Sequence, residues 1–463
     1  MKRIAMFSIP AHGHTNPMLP VAEELVRRGC EVRFYSFDEF GEKIRATGAD
    51  FVSCDAYLPR LSAGEEASLK RVNTTAMAVQ DIRVTLAMND FLEGEFKSFR
   101  PDLVYTDSVC FWGKLNAWKF ERPMVVSTST FAFNQMSSRY MKQSGRELAD
   151  MILGLPRISR ELKKLKAYGY KVNNALDLVQ SGSETDSVVY TSRDFQPYAN
   201  CFSGHYAFVG PSVLTDRLPD KEKARPLVYI SLGTVINDRP EFYRNCMDAL
   251  RDLPLDVVIS CGNAIDRDAL GELPENVSVF PYVDQLEVLA RADVFLTHCG
   301  MNSVSESLYM ATPLVLYPQT GEQRAVARRA AETGAGQLLT DDSAAGIRSA
   351  VQEVLKNESY AQAARRRSED FRACGGAKSA ADFILSAPHE GGGFDMMKTL
   401  NAANLRFHAC YWLVAAALIL LFGALVSWKY VWIAGMLAGT LNYPLGQAAQ
   451  ERAYRRLAAK NKI

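Results

Sequence analysis

Short apolar runs rich in β-branched residues, each separated from the next by an amphipathic stretch, recur through most of this chain. From residue 1 to about 210 they read RIAMFSI, EVRFYSF, DLVYTD, PMVVSTS, DSVVYT and HYAFVG, and a second series follows as PLVYISLG, LDVVIS, NVSVF, ADVFLTH and PLVLYP. Runs this continuous fit strands buried on both faces, which reach a parallel neighbour through a crossover helix. Pro17 to Arg28, closed by Gly29, has the apolar spacing of such a helix. The pattern predicts an α/β fold of two Rossmann-like, doubly wound domains facing a cleft. At 463 residues the chain exceeds one ordinary core, in keeping with two domains and an appendage.

The polar stretch GPSVLTDRLPDKEKARP, residues 210–226, divides the two series and reads as an interdomain linker. The expected domains are 1–213 and 214–388, and APHEGGG, residues 387–393, begins a tether and interfacial segment placed at 389–408. ACYWLVAAALILLFGALV, residues 409–426, then carries no charge over 18 positions, long enough to favour a membrane span. A second apolar stretch follows from Val431 to about Leu445, short for a span. Lys398 and Arg406 precede the pair, Arg452, Arg455, Arg456, Lys460 and Lys462 follow it, and Trp428, Tyr430 and Trp432 sit at the turn. Basic flanks on one side and aromatic residues at the turn predict a transmembrane helical hairpin, residues 409–446, with a basic cytoplasmic tail at 447–463. The alternative is a hydrophobic helix packed on a soluble core.

A balance of 53 Lys and Arg against 52 Asp and Glu gives no basic field pointing to nucleic acid. The nine cysteines show no C-x-x-C and read as reduced thiols of a cytosolic compartment. MKRIAMFSIPAHGH has too short an apolar run for a signal peptide and reads as a first strand.

Three turns carry chemistry. In IPAHGHTNPM, Asn16 suits a helix N-cap, Pro17 a first helical turn and Gly13 a tight bend, so His12 and His14 fall at the carboxyl edge of strand one, where such sheets bind ligands. A histidine accepts a hydroxyl proton near neutral pH if a carboxylate steadies its imidazolium, and Asp107, ending DLVYTD, is the candidate. The alternative leaves both histidines as turn residues and Asp107 as a cap. In ADVFLTHCGMNSVSES, an apolar strand halts before His298 and a helix opens at Asn302 and Ser303, a place suited to a diphosphate. Glu306 reads either as the end of a Ser303-x-x-Glu306 capping box or as a holder of a ribose diol. ISLGTV sets Ser231, Gly233 and Thr234 at another phosphate-accessible turn.

These residues carry a resemblance. Residues 282–323, with Gln285, the H-x-G-x-N-S-x-x-E core, Pro313, Pro318 and Glu322-Gln323, resemble the donor signature of inverting nucleotide-sugar glycosyltransferases, nearest the macrolide-type bacterial branch of the UDP-glycosyltransferases. AHGHTNP, DLVYTDSVCFWG and SLGT match as well, and the likeness extends from residue 1 to about 388 but not over the hairpin. It implies a GT-B architecture, with acceptor in the amino half and sugar nucleotide in the carboxyl half. It implies Tyr282 and Val283 against the base and Gln285 on base or ribose. His298, Gly300, Asn302, Ser303, Ser231 and Thr234 are implied around the phosphates, Glu306 on the ribose, and Glu322 with Gln323 on the sugar hydroxyls. His14 matches the family's base and Asp107 its partner; His12 is not implied. Tyr282 replaces the usual tryptophan and Asp284 a common proline, and Ala311-Thr312-Pro313 stands for Gly-Val-Pro.

The expected reaction passes a hexose, glucose by default, from a UDP-sugar to a hydroxyl of an apolar or lipid-like acceptor with inversion. No cofactor or metal is expected, because a helix end and His298 meet the leaving diphosphate. Asp266-Arg267-Asp268 is read as a chance D-x-D in a polar loop. Trp112, Phe131, Phe133 and segments 57–80 and 131–175 are expected to line the acceptor pocket. The basic amphipathic stretch 155–172 reads as a helix packed by its apolar face or one resting on anionic lipid. The enzyme is expected to be membrane-anchored with its catalytic domains facing the cytoplasm. A sugar-nucleotide epimerase and a catalytically silent scaffold are the rival readings.

Overall fold

The computed structural model describes residues 1–70, 73–141, 145–172, 185–213, 220–221, 224–263, 265, 270–389, 396–425 and 431–460. Residues 1–197 and 205–389 form one compact unit, and 198–204 with 390–463 a second.

The first unit holds two parallel sheets. One contains β1 (Arg3–Phe7), β2 (Glu31–Ser36), β3 (Asp50–Ser53), β4 (Leu103–Asp107), β5 (Met124–Thr128), β6 (Asp186–Val189) and β7 (Tyr206–Phe208), in the order β3-β2-β1-β4-β5-β6-β7. The other contains β8 (Leu227–Ser231), β9 (Asp256–Ser260), β10 (Val277–Phe280), β11 (Val294–Thr297), β12 (Leu314–Leu316) and β13 (Gly336–Leu338), in the order β10-β9-β8-β11-β12-β13. The apolar runs supply these strands: every residue of β4, β8 and β11 is buried. Each order reverses once, between β1 and β4 and between β8 and β11, and such a reversal opens a crevice beyond the strand ends. Phe7 pairs with Thr106 at one crevice and Ser231 with Thr297 at the other, so the motifs that follow those strands emerge side by side.

Several local expectations meet a different geometry. A one-turn helix, His12–Thr15, precedes Met18–Arg27, and Asn16, at φ −55° and ψ −44°, accordingly continues the helical path instead of capping it. The linker is pinned where it is described: the Lys221 ammonium donates to the carbonyls of Leu289 and Ala292 and to the Thr312 hydroxyl. The segment 214–388 does not serve the second core alone, because its last helix belongs to the first. The helix Gly376–Ser386 buries Ala380, Ala381 and Ile384 in the core around β1 and packs against Met18–Arg27. Arg28 pairs with Asp382, and Lys2 donates to the Leu385 carbonyl.

The long helix Gly145–Ala167 buries Ile158, Leu162 and Leu165 against Val79 and Ile82 of the helix Thr74–Ala87. The apolar face of the basic stretch is therefore spent on protein, although Leu155 stays exposed. Trp112 and Phe131 are core residues, stacked edge-on with Phe37 and Tyr140 respectively; among the three aromatics expected in the pocket wall, only Phe133 is exposed. All nine cysteines are free thiols.

The second unit consists mainly of the helices Met396–Leu425 and Val431–Lys460, which pack on each other. Tyr411 donates to the Ala438 carbonyl, His408 bonds Asn442, and Gly446 lies so close to His408 that a Cβ there would stand 2.7 Å from the ring. Among the described residues, one stretch, Thr399–Leu421, is long and apolar enough to cross a membrane by length and composition. It begins ten residues before the run expected at 409, and the second helix, which turns polar at Gln447, Gln450 and Glu451, does not meet the same test. The aromatic turn at Trp428 and Tyr430 lies outside the described residues.

Candidate active site

At the β1–β4 crevice, the short His12–Thr15 turn carries His14 over the end of β4. Its Nδ1 lies 2.8 Å from Asp107 Oδ2 and 3.1 Å from the Ser129 hydroxyl. Asp107 is fully buried, and its other oxygen accepts the Val109 N–H at 2.9 Å. A carboxylate fixed in this way holds the imidazole tautomer that carries its proton on Nδ1 and leaves Nε2 free to accept one. The His14 side chain is 29% exposed, so an incoming hydroxyl has access. Burial pushes its pKa down, but the charge and hydrogen bond of Asp107, helped by Glu322 and Asp81, leave it above the ordinary 6.5. His12 turns elsewhere, bonding Glu39 at 2.7 Å and meeting Phe40 edge-on.

Two neighbours escaped the sequence reading. Asp81, on the helix Thr74–Ala87, is a third carboxyl whose pKa burial and the Asp107 charge push well up. Lys114 is buried beneath the dyad and donates to the Ser108 carbonyl at 3.0 Å, with a pKa lowered to about 8 mainly by burial. It arrives there because the preceding glycine lets its helix touch the strands: a Cβ on Gly113 would stand 2.2 Å from the Thr106 hydroxyl and 2.8 Å from Phe7 Cβ.

The β8–β11 crevice is built from backbone. Gly233, at φ +76°, turns the chain after β8, and Cys299, at φ +68°, turns it after β11. His298 fills the space between, and a Cβ on either Gly233 or Gly300 would stand 2.6 Å from its ring. Its buried Nδ1 has no hydrogen-bond partner among the described residues, and burial pushes its pKa down to about 4. At neutral pH His298 is therefore uncharged in the free protein and can meet an anion as an N–H donor.

Gly300 is the N-cap of the helix Met301–Tyr309, without a side-chain cap. Ser303 thus lies inside the first turn, and a Ser303–Glu306 capping box does not form. Glu306 instead accepts from Gln285 Nε2 at 2.6 Å, while Gln285 Oε1 accepts from Tyr229 at 3.3 Å. Burial lifts the Glu306 carboxyl to about 7. Gln285 opens the helix Gln285–Arg291, whose N-cap is Asp284: its side chain accepts the Glu287 N–H, so the departure from proline puts a capping carboxylate there. Tyr282 is 75% exposed and Val283 half-buried beside this edge, and Thr234 is exposed at the Gly233 turn, whose N–H bonds the buried Ser231 hydroxyl.

A capping box does occur two motifs on. Thr320 accepts the Gln323 N–H, and Gln323 Oε1 accepts the N–H groups of Thr320 and Gln319. That oxygen is spent on the helix start, which leaves the amide N–H groups as the donors Gln323 can offer. Glu322 is exposed in the same turn, near enough for its charge to raise the His14 pKa. The two crevices face each other across a closed seam: Asn302 Nδ2 donates to the Gly13 carbonyl at 2.9 Å, and Tyr140 bonds Glu332. The Asp266 to Asp268 motif lies outside the described residues.

Comparison with known proteins identifies the family and the fold. Residues 220–370 match the family model described as UDP-glucoronosyl and UDP-glucosyl transferase. An uncharacterized UDP-glucosyltransferase, YojK, of Bacillus subtilis strain 168 is 33% identical over 84% of this chain and 98% of its own length. The oleandomycin glycosyltransferase of Streptomyces antibioticus is 32% identical over 84% of this chain and 92% of its own. The crystal structure of the kitacinnamycin glycotransferase superposes with a TM-score of 0.71 at 27% identity, covering 83% of this chain and 98% of that one. The chain belongs to the UDP-glycosyltransferase family, with the GT-B fold, and is a UDP-dependent hexosyltransferase.

Proposed function

We propose that this enzyme transfers a hexose, glucose by default, from a UDP-sugar to a hydroxyl of an apolar small molecule or lipid alcohol, with inversion. The observation that carries the reading is His14: held by Asp107 through one ring nitrogen, it keeps the other free, with Glu322 near enough for its charge to act on the ring. His14 Nε2 takes the acceptor's hydroxyl proton as the oxygen forms its bond to the anomeric carbon. The bond from that carbon to the diphosphate oxygen breaks on the opposite side, and an α-linked donor yields a β-glycoside. Asp107 stabilises the imidazolium. His298, the backbone at Gly300, Asn302 and Ser303, and Ser231 with Thr234 meet the departing diphosphate, with the positive end of the helix Met301–Tyr309 behind them. Tyr282 and Val283 flank the base, Gln285 and Glu306 take the ribose, and Glu322 and the Gln323 amide take the sugar hydroxyls.

The likeness to an oleandomycin glycosyltransferase supports an apolar, hydroxyl-bearing acceptor. The second unit supports its delivery from a bilayer: Leu413, Val414, Leu418 and Leu420 are more than half exposed along the helix, a stripe that water would penalise and hydrocarbon would not. In this reading Thr399–Leu421 crosses the membrane, the second helix returns, and the catalytic unit stays on the cytoplasmic side with its basic flanks.

The experiment is a comparison of two histidines. His14→Ala should lower kcat by roughly two to four orders of magnitude while UDP affinity stays nearly intact, and His12→Ala should cost far less. Equal losses would remove the base from His14. Activity should persist in excess EDTA.

A further inference from the structure

Between the two helices of the second unit lies a groove of about 380 Å³, lined by Phe407, Tyr411, Leu445 and Ala449 and edged by Arg452 and Arg456. The arginines stand four residues apart and so share one helix face. Arg455, between them, is paired with Glu451 at 3.2 Å, whereas Arg452 and Arg456 have neither an ion pair nor a hydrogen-bond partner among the described residues. Two exposed guanidinium groups thus border an apolar bed with no counter-charge of their own. Their place along the fold is specific: the bed lies beside the first turns of the Thr399–Leu421 stretch, and the arginines follow where the second helix has turned polar.

An occupant must be apolar along one part and carry an anion at one end, in that order. Arginine forks match phosphate oxygens in planar, charge-assisted pairs. We propose that this groove binds one anionic phospholipid, its phosphate between Arg452 and Arg456 and an acyl chain along Phe407, Tyr411, Leu445 and Ala449. The proposal rests on the membrane reading of the hairpin, and it adds a defined lipid site to what would otherwise be a plain anchor.

Fractionation of cells expressing the full chain comes first, because a protein absent from membranes overturns the membrane reading and this site with it. The solubilised full chain is then titrated with dioleoylphosphatidylglycerol and, separately, with dioleoylphosphatidylcholine, and bound lipid is counted by native mass spectrometry. One phosphatidylglycerol per chain is expected, in preference to phosphatidylcholine. R452Q and R456Q should each weaken it roughly five- to tenfold, and R455Q, which removes the same charge from an already paired residue, by less than about twofold. A449W, which fills the bed, should also block the lipid. Unchanged turnover of a soluble acceptor certifies that each variant is folded. With the protein in membranes, equal losses in all three arginine variants, equal binding of both lipids, or displacement by inorganic phosphate at the lipid's own concentration would each overturn the site while leaving the anchor intact.

Discussion

His14 and Glu306 both hold their protons more tightly than they would in water, and the consequences run in opposite directions. For His14 the cause is a partner, so the pair stabilises the fold fully below about pH 6.5 and loses that contribution as pH rises through the folded pKa. Catalysis follows the other limb: kcat/KM should climb as His14 loses its proton, with an inflection above 6.5, and then level off. Asp107→Asn should shift that inflection down and lower the plateau, and an unmoved inflection would mean that another group is being titrated. For Glu306 the cause is burial, so ionising it costs stability, which should fall between about pH 4.5 and 7 and then stay flat. Glu306→Gln should therefore raise stability above pH 7, on the order of 1–2 kcal/mol after allowing for the open cleft, while weakening UDP. Thermal melts at pH 5 and pH 8, paired with UDP calorimetry, read both effects. A variant that gains stability and keeps full UDP affinity would take Glu306 out of the ribose site.

Among elements, the turns after β8 and β11 make room for His298 by excluding side chains at Gly233 and Gly300. Gly233→Ala should lower UDP affinity about tenfold or more, because it strains a left-handed residue and pushes His298 from its place. Gly13→Ala makes a fair control, since a Cβ there meets nothing within 4 Å. Strands were the most legible elements, because burial on both faces leaves an uninterrupted apolar run. Helix starts were less so. Asn16 and Ser303 are both good capping residues by type, yet one extra turn before Met18 and an earlier start at Gly300 put each within helical geometry. Gln323 was legible as part of a donor motif, but its second use, in a capping box with Thr320, was not. Lys114 was invisible for another reason. A lysine between Trp112 and Leu115 reads as a solvated position, and only the close approach permitted by Gly113 buries it.

For the molecule as a whole, the question is what the second unit adds to a catalytic unit that has both crevices to itself. A chain ending at His389 keeps that unit entire, including the bond from the His389 N–H to Asp186. It should be soluble and still turn over small dissolved acceptors, whereas a membrane-dissolved acceptor should be glycosylated much faster by the full chain, which shares its surface. The comparison is one acceptor given in vesicles and again in free solution. Equal vesicle rates with and without the hairpin would leave it no part in acceptor delivery.

The helix Gly376–Ser386, which closes over Met18–Arg27, imposes an order on how this protein is made. When residue 210 has left the ribosome, every strand of the first sheet exists, but the layer formed by Ala380, Ala381 and Ile384 has not been synthesised. At about 5–20 residues per second, the amino half waits on the order of ten seconds or more with that face of its core bare. The carboxyl half, whose sheet is complete by Leu338, is ready before its predecessor is finished. Folding of the first half is thus completed by the last segment of the catalytic unit to be translated, and a ribosome stalled between the two sheets would present an unfinished hydrophobic face to the chaperones of the cell.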